Sequence, residues 1–183
     1  TIGTDLVYRN KVINIETIES KISIKSFLND KFSLTEIFIS TKPLVIKDLV
    51  TFLRLLNNDP KFFIAEKVIN KGYVIADLKL EFDESGKIKK TYQINGLVKD
   101  GKINLFEENN FKKIDFIFKI NQNALKFNDI KIIQDNNNIL IPELVANKQN
   151  NVFKISGNLI TQDTNLKRKQ INRFINNFFN ELD

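Results

Sequence analysis

The stretch from Gly72 to Leu105 limits the possible folds most strongly, because its apolar residues recur at every second position. This is the period of a β-strand that buries one face and exposes the other. The residues predicted to share the apolar face of the first arm are Val74, Ala76, Leu78, Leu80 and Phe82. Asp83 and Gly86 then supply turn chemistry, since Asp can bond the backbone two residues ahead and Gly tolerates positive φ. We predict a β-hairpin at this point.

The return arm of this hairpin carries a second alternating set of apolar residues. Those predicted to share one face are Ile88, Tyr92, Ile94 and Val98. A further turn is predicted at Asp100 and Gly101, leading into a third strand that contains Ile103 and Leu105. The three strands then form an antiparallel meander with a continuous apolar face.

The chain before this meander has two different periods. Residues 1–40 alternate in short bursts and predict two to four antiparallel strands. From Thr41 the apolar spacing becomes helical, and Pro43 favours a helix from about residue 44 to residue 57. Asp59 and Pro60 repeat these start signals, and Gly72 stands where a left-handed residue would end a second helix. Residues 41–71 are therefore predicted to be a helical hairpin packed on the meander.

The chain after the meander alternates again and then becomes helical at its end. Phe116, Phe118, Phe127 and Ile155 fall at strand-like positions, and clusters of Asn separate the strands as turn residues. Residues 161–183 carry an amphipathic stripe behind the basic run Lys167 to Lys169. Such a helix could lie on a membrane surface, but packing on another part of a parent protein is favoured, because Asn and Glu fill its polar face.

The predicted fold class is α+β, mostly antiparallel β, in the form of a curved meandering sheet. A helical hairpin packs on the sheet and a C-terminal amphipathic helix follows it. The predicted division is residues 1–40 for the N-terminal strands, 41–71 for the helical hairpin, 72–160 for the antiparallel meander and 161–183 for the terminal helix. Because the sequence begins at Thr1 and contains no Met, we expect all four parts to form one domain-sized piece of a longer chain.

The composition removes most catalytic chemistry. His and Cys are both missing, which excludes imidazole bases, thiol nucleophiles, disulfides and soft-metal sites. One dense carboxylate cluster remains, and a pair of acids can hydrolyse a glycoside. Its members are Asp77, Glu81, Asp83 and Glu84. A solvated hairpin is the favoured interpretation of this cluster, and no calcium or phosphate-loop motif is present. We expect no enzyme activity, no cofactor and no metal.

The net charge of +6 does not form a basic patch. Residues 1–71 carry 11 basic and 8 acidic side chains, and residues 72–183 carry 17 and 14, so each part contributes +3. The aromatic residues also lie among Ile and Leu and do not alternate with cations, as a surface for base stacking would require. Nucleic-acid binding is therefore disfavoured. The apolar run of residues 44–56 is shorter than the roughly 20 residues of a transmembrane helix.

Several short segments, in this order, resemble the bacterial AsmA-like family, the group of AsmA, TamB and YhdP. The similarity extends over about residues 40–165. The segments that carry it are KGYV (71–74), FD (82–83), GKI (86–88), YQINGLVKD (92–100), INL (103–105), LKFNDI (125–130) and SGNL (156–159), together with a Phe-rich strand at 114–120.

The resemblance implies a large protein on the periplasmic side of the bacterial inner membrane, held there by an N-terminal anchor outside this sequence. Its repeating curved sheets would form an apolar groove that carries phospholipid toward the outer membrane. The groove residues implied here are Val74, Ala76, Leu78, Leu80, Phe82, Tyr92, Ile94, Val98, Phe116, Phe118, Phe127 and Ile155. The expected partners are phospholipid, adjacent β segments of the parent chain and the inner membrane. Two alternatives remain: a scaffold that acts through sheet-edge pairing, and a groove plugged by the chain's own helices.

Overall fold

The computed structural model describes residues 1–8, 11–24, 34–56, 63, 66–83, 85–105, 109–134, 137–149 and 152–161. These residues form one curved, open, antiparallel sheet with two short helical segments, of which the longer has three turns. The prediction of a mostly antiparallel β fold is confirmed. The amphipathic pattern of the strands explains the single layer, since each strand buries one face only.

The strands follow one another along the chain. They are β1 (Ile2–Tyr8), β2 (Lys11–Ile22), β3 (Leu34–Thr41), β4 (Leu44–Val45), β5 (Ile69–Phe82), β6 (Ile88–Leu105), β7 (Asn109–Asn121), β8 (Ala124–Gln134), β9 (Asn137–Gln149), β10 (Val152–Gly157) and β11 (Ile160–Thr161). The helix α1 (Ile46–Leu56) follows β4 directly. The spatial order is β1-β2-β3-β5-β6-β7-β8-β9-β10, with β4 paired to β5 and β11 paired to β9. The described strands therefore form a meander, with the β4–α1 segment inserted between β3 and β5.

Helix α1 is attached to one end of the sheet by apolar contacts. Leu44 is buried in a cluster with Ile13, Ile15 and Val74, and Ile46 and Leu49 pack against that cluster. The polar side of the attachment is the Thr51 hydroxyl, which donates to Glu66 Oε1 at 2.7 Å. Arg54 Nε lies 3.0 Å from the other oxygen of the same carboxylate. Both the cluster and this carboxylate fix the helix over the sheet.

The predicted helical hairpin is only partly found. Its first helix is α1, but residues 69–71, which were assigned to the second helix, open strand β5. Residues 66–68 are helical, and residues 57–62 lie outside the described residues. Gly72 has a positive φ of 129°, yet it lies within β5 and does not end a helix. A Cβ at Gly72 would stand 2.8 Å from Ile46 Cδ1 and from the Gly101 Cα, so close packing explains the glycine.

The predicted turn at Asp100 and Gly101 is wrong, because β6 continues through it to Leu105. The register moves by three residues on β6, from Val98 to Gly101, against two on β7, from Phe116 to Ile114. The extra residue is absorbed as a β-bulge, with Asp100 at a φ of 52°. The Asp100 N–H donates to Asp115 Oδ1 at 2.8 Å, which holds β6 against β7 where a turn was expected.

The boundary between the meander and the terminal helix also differs from the prediction. Thr161 belongs to strand β11, which pairs with β9 through Ile160 and Leu140. Strands β10 and β11 lie along the same edge of β9, with Asn158 and Leu159 between them. The rest of the predicted terminal helix, residues 162–183, lies outside the described residues.

Candidate functional site

One face of the sheet carries an unbroken row of apolar side chains across eight strands. Cross-strand pairing links each member to the next, in the order Ile18, Ile39, Leu78, Ile94, Ile120, Leu125, Ala146 and Ile155. Neighbouring strands are about 4.8 Å apart, so seven steps give a row of about 34 Å. We call the surface that contains this row the apolar face.

The structure brings all of the groove residues implied by the resemblance onto the apolar face. Register and alternation place them on β5, β6, β7, β8 and β10. Three of these residues are buried, with at most 8% of each residue's surface exposed; they are Val74, Val98 and Phe118. The others are half-buried: Ala76, Leu78, Leu80, Phe82, Tyr92, Ile94, Phe116, Phe127 and Ile155. The predicted groove residues did not include five further members of the row, namely Ile18, Ile39, Ile120, Leu125 and Ala146. The period of two already put Ile120 on the side of Phe118 and Leu125 on the side of Phe127, but only strand register shows that all five lie in one row.

The apolar face differs from one end of the strands to the other. At the covered end, α1 and β4 lie over Ile13, Ile15, Val74 and Val98, which are all less than 9% exposed. At the open end, the apolar residues of β5 and β6 are half-buried; they are Leu78, Leu80, Phe82, Tyr92 and Ile94. Of the elements described, only β4 and α1 lie over this face. None of the described side chains is less than 2% exposed, so this part of the chain has no fully sealed core.

Aromatic rings fill the middle of the apolar face. Phe116 lies 5.7 Å from Phe127 in an edge-on arrangement and 6.1 Å from Phe118 in a tilted one, between ring centroids. The Phe118 ring lies over Gly96, where a Cβ would be 2.5 Å from its Cζ. A second buried cluster adjoins these rings and contains Ile114, Ile130, Ile132, Ile139 and Ile141. These contacts give the face a fixed shape without a second layer.

The opposite face of the sheet is charged. Glu36 bonds Lys21 at 2.7 Å and Lys79 at 3.2 Å, and Lys79 reaches Glu81 at 3.3 Å. The bond from Lys21 and then that from Lys79 hold the pKa of Glu36 below its usual value. The bonds to Glu36 and Glu81 raise the pKa of Lys79. The sheet therefore has one largely apolar face and an opposite face on which these ion pairs lie among exposed apolar residues such as Ile75 and Ile117.

The carboxylate cluster considered for catalysis is engaged in local bonds. Asp77 accepts a bond of 2.6 Å from the Ser40 hydroxyl. Asp83 Oδ1 accepts from the Ser85 hydroxyl at 2.7 Å, the Ser85 N–H at 2.9 Å and the Lys87 N–H at 3.0 Å, which closes the β5–β6 hairpin. These bonds, that of the Ser85 hydroxyl first, lower the pKa of Asp83. Glu84 lies outside the described residues, within which no three acidic side chains gather as metal ligands.

A polar rim borders the apolar face at the open end. An open pocket of about 420 Å³ lies there, lined by Tyr92, Gln122, Asn123 and Lys148. Sequence reasoning missed three of these residues, because Gln122 and Asn123 were assigned only to a turn and Lys148 was not considered. The available signal was the period of two in β9, which puts Lys148 on the same side as Leu144 and Ala146.

No family model, curated protein or solved structure matches this chain. In the part of the chain that the structure describes, no helix combines the length and the apolar character needed to cross a membrane. The functional argument therefore starts from the geometry of the apolar face.

Proposed function

We propose that this chain is a segment of an AsmA-like protein on the periplasmic side of the bacterial inner membrane. It holds or conducts phospholipid acyl chains along the apolar face, without covalent chemistry. The observation that carries the proposal is the apolar row, which crosses eight strands with no polar interruption. In such a protein, adjacent β segments of the parent chain continue the face toward the outer membrane.

The dimensions of the apolar face suit an acyl chain. Along β6 the face extends about 20 Å from Tyr92 to Val98, which exceeds the depth of one leaflet, about 15 Å or half of the hydrocarbon core. The row of about 34 Å runs across the strands and gives the lipid a path along the sheet. Each methylene taken out of water contributes about 0.8 kcal/mol, whether a bilayer or a protein surface receives it. Moving a lipid from membrane to groove therefore costs little where the face covers most of the chain, and the lipid can travel along the row without an energy source.

The half-buried residues of the open end leave apolar surface accessible to an acyl chain. Leu78 and Leu80 point to the same side as Ile94, which is itself half-buried. A groove filled by the protein's own side chains would instead leave such residues almost fully buried. The α1 helix covers the other end and leaves this part of the face uncovered by the described elements.

The test is native mass spectrometry of the purified 183-residue chain after incubation with phospholipid vesicles. The proposal predicts protein ions with bound phospholipid, and loss of that lipid in Leu80→Asp, because a carboxylate in the groove must be desolvated. Gln93→Asp is the matched control, since it puts the same group on the exposed side of the neighbouring strand. A chain that binds no lipid, or equal binding in both variants, contradicts the proposal.

A structural scaffold is the second candidate function, supported by the sheet edge at β1. Strand β1 pairs with β2 on one side only among the strands described. Its side chains Ile2, Leu6 and Val7 are 84%, 47% and 63% exposed. Unpaired strand edges recruit further strands by backbone hydrogen bonding. Under this alternative, Leu6→Pro disrupts function in the cell envelope and Leu80→Asp does not, which is the reverse of the lipid proposal.

A further inference from the structure

At the polar rim the apolar face changes its chemistry beside the β7–β8 turn. On β6 the apolar residues Val98 and Ile94 are followed on the same face by the phenol of Tyr92, and beyond it the β5–β6 hairpin carries Phe82 and Ile88. On β9, Leu144 and Ala146 are followed by Lys148. Between Tyr92 and Lys148 lies the β7–β8 turn with Gln122 and Asn123. Four side chains that can donate hydrogen bonds thus meet where the apolar row borders this turn.

The pieces of the rim are held together by backbone bonds. The Lys148 N–H donates to the Asn123 carbonyl at 2.8 Å, which joins β9 to the turn. Asn121 Oδ1 accepts from the N–H groups of Asn123 and Ala124, both at 2.9 Å, and so fixes the turn itself. The pocket at the rim is therefore built on a fixed backbone frame, although its side chains are accessible.

The charge of Lys148 is not neutralised locally. No ion pair joins its ammonium group to any carboxylate in the described part of the chain, whereas Lys126 on the other face pairs with Glu143. An ammonium group, a phenol and two amides offer hydrogen-bond donors to an anion with several acceptor oxygens. A phosphate group matches this donor set, and the open pocket leaves it room beside the four side chains.

We propose that this rim binds the phosphate head group of a net-anionic phospholipid, with Lys148 as the charge-bearing contact and Tyr92, Gln122 and Asn123 as hydrogen-bond donors. This inference rests on the proposed function and adds the lipid class and its orientation. From Tyr92 to Val98 the strand advances six residues, or about 20 Å. An acyl chain of one leaflet, about 15 Å long, fits between the rim and the covered end. The lipid therefore lies along the strands, with its head group at the rim.

The orientation explains how a lipid could travel. Movement along the apolar row is sideways, from strand to strand, while the head group stays at the water-exposed edge. Burial of the phosphate is avoided throughout, which matters because an unpaired charge in hydrocarbon is strongly unfavourable. Lys148 provides one attractive position on that path.

The experiment compares capture of dioleoylphosphatidylglycerol and dioleoylphosphatidylcholine, which have the same acyl chains and differ in net charge. The full chain is incubated with vesicles of either lipid and then separated from them, and the lipid that stays with the protein is measured by mass spectrometry. Separation is needed because a chain of net charge +6 associates with any anionic surface. We expect the anionic lipid to be preferred about fivefold, as one exposed charged hydrogen bond allows.

The decisive variants are Lys148→Gln and Lys154→Gln. Both remove one exposed positive charge, but Lys154 pairs with Asn147 and faces the other side of the sheet. Lys148→Gln should abolish the preference and Lys154→Gln should keep it, while Tyr92→Phe should reduce it about twofold. Equal capture of the two lipids, or the same loss in both lysine variants, overturns the inference and leaves the proposed function standing. Absence of either lipid from the protein overturns both.

Discussion

The covered end and the open end of the apolar face have the same kind of residues but different neighbours. Val74 at the covered end is 4% exposed, whereas Leu78 and Leu80 further along the same strand are half-buried. The difference is helix α1, whose residues Ile46 and Leu49 pack against the first region and not the second. An alternating strand thus specifies that a face will be apolar, and a separate element decides what covers it.

The position of the helix follows from the connection that contains it. Most neighbouring strands are separated by two to five residues, but β3 and β5 are separated by residues 42–68. Leu44 in β4 pairs with Val74, so the chain must leave the sheet beside the covered end before it forms α1. The described part of this connection that packs on the sheet, β4 and α1, covers one end of the apolar face.

The largest effect is expected for a charge at the covered end. Ile15→Asp puts a carboxylate at a position that is 3% exposed, beside Leu44 and Val74. We expect the free energy of unfolding to fall by about 3 kcal/mol or more, because the charge has no partner there. Urea denaturation measures this loss. Leu80→Asp at the open end should cost less than about 1 kcal/mol, as partly exposed substitutions do. Equal losses of unfolding free energy in the two variants would mean that the two ends do not differ in how well they are covered.

The next effect concerns the boundary between the two ends. Gly96→Val should destabilise the fold by about 2 kcal/mol, since overpacking forces neighbouring groups apart. The new Cβ would clash with the Ile75 carbonyl oxygen on the neighbouring strand and with Phe118, whose Cζ would be 2.5 Å away. Asn95→Val, one residue away on the exposed side, is the control. Thermal unfolding compares the two variants, and similar midpoints would show that the Ile75 backbone and the Phe118 ring both move away without cost.

A smaller effect is expected for the polar attachment of the helix. Thr51→Val keeps the shape of a side chain that is 8% exposed but removes its bond to Glu66. We expect a loss of about 1 kcal/mol, the usual net value of a hydrogen bond. Glu66→Gln keeps an acceptor for Thr51 and should cost less. We also expect Thr51→Val to increase amide hydrogen exchange in α1 and to leave the exchange rates of β6 to β8 unchanged. This result would show that the bond stabilises the covered end and not the open end.

The smallest effect on stability is expected from lowering the pH. Acid protonates carboxylates on the face opposite the apolar face, so it does not distinguish the covered end from the open end. Partial burial on its own raises the pKa of Asp115, but bonds from the Asp100 N–H and from Lys99 outweigh it and hold the pKa below its usual value. Glu143 also has a lowered pKa, chiefly through its bond to Lys126. A lowered pKa in the folded state means that stability is present above the unfolded pKa and is lost as pH falls through the folded value.

Urea midpoints measured from neutral pH downward should therefore fall below about pH 4, the region of unperturbed carboxyl groups. Asp115→Asn should flatten part of this decrease. If instead the midpoint rises on acidification, the bonds to these carboxylates do not stabilise the fold.

Local chemistry explains which parts of the fold were predictable. The alternation of Val74 through Phe82 gave the correct face, and the Asp83–Gly86 turn formed as expected, because neither depends on distant residues. The turn predicted at Asp100 became a bulge, since the Asp115 carboxylate on the next strand accepts the bond from its N–H. That partner is 15 residues away, so no local pattern could reveal it.

The candidate site shows the same division. The groove residues implied by the resemblance lie on one face, but the rim that joins Tyr92 to Lys148 depends on the register of four strands and one turn. Shifting one strand by one residue would move its whole set of side chains to the other face. Alternation along β9 places Lys148 on the side of Leu144 and Ala146, but its position beside Tyr92 could be assigned only after the pairing was known.

The sequence by itself determined that this protein forms an antiparallel sheet with one oily and one charged face, because backbone geometry turns a period of two into two sides. Only the tertiary structure decided that eight of those strands align their oily residues in one row, that α1 covers one end of the face, and that a lysine and a tyrosine meet at the other. These outcomes depend on pairing between residues far apart in the chain, which the local period does not encode.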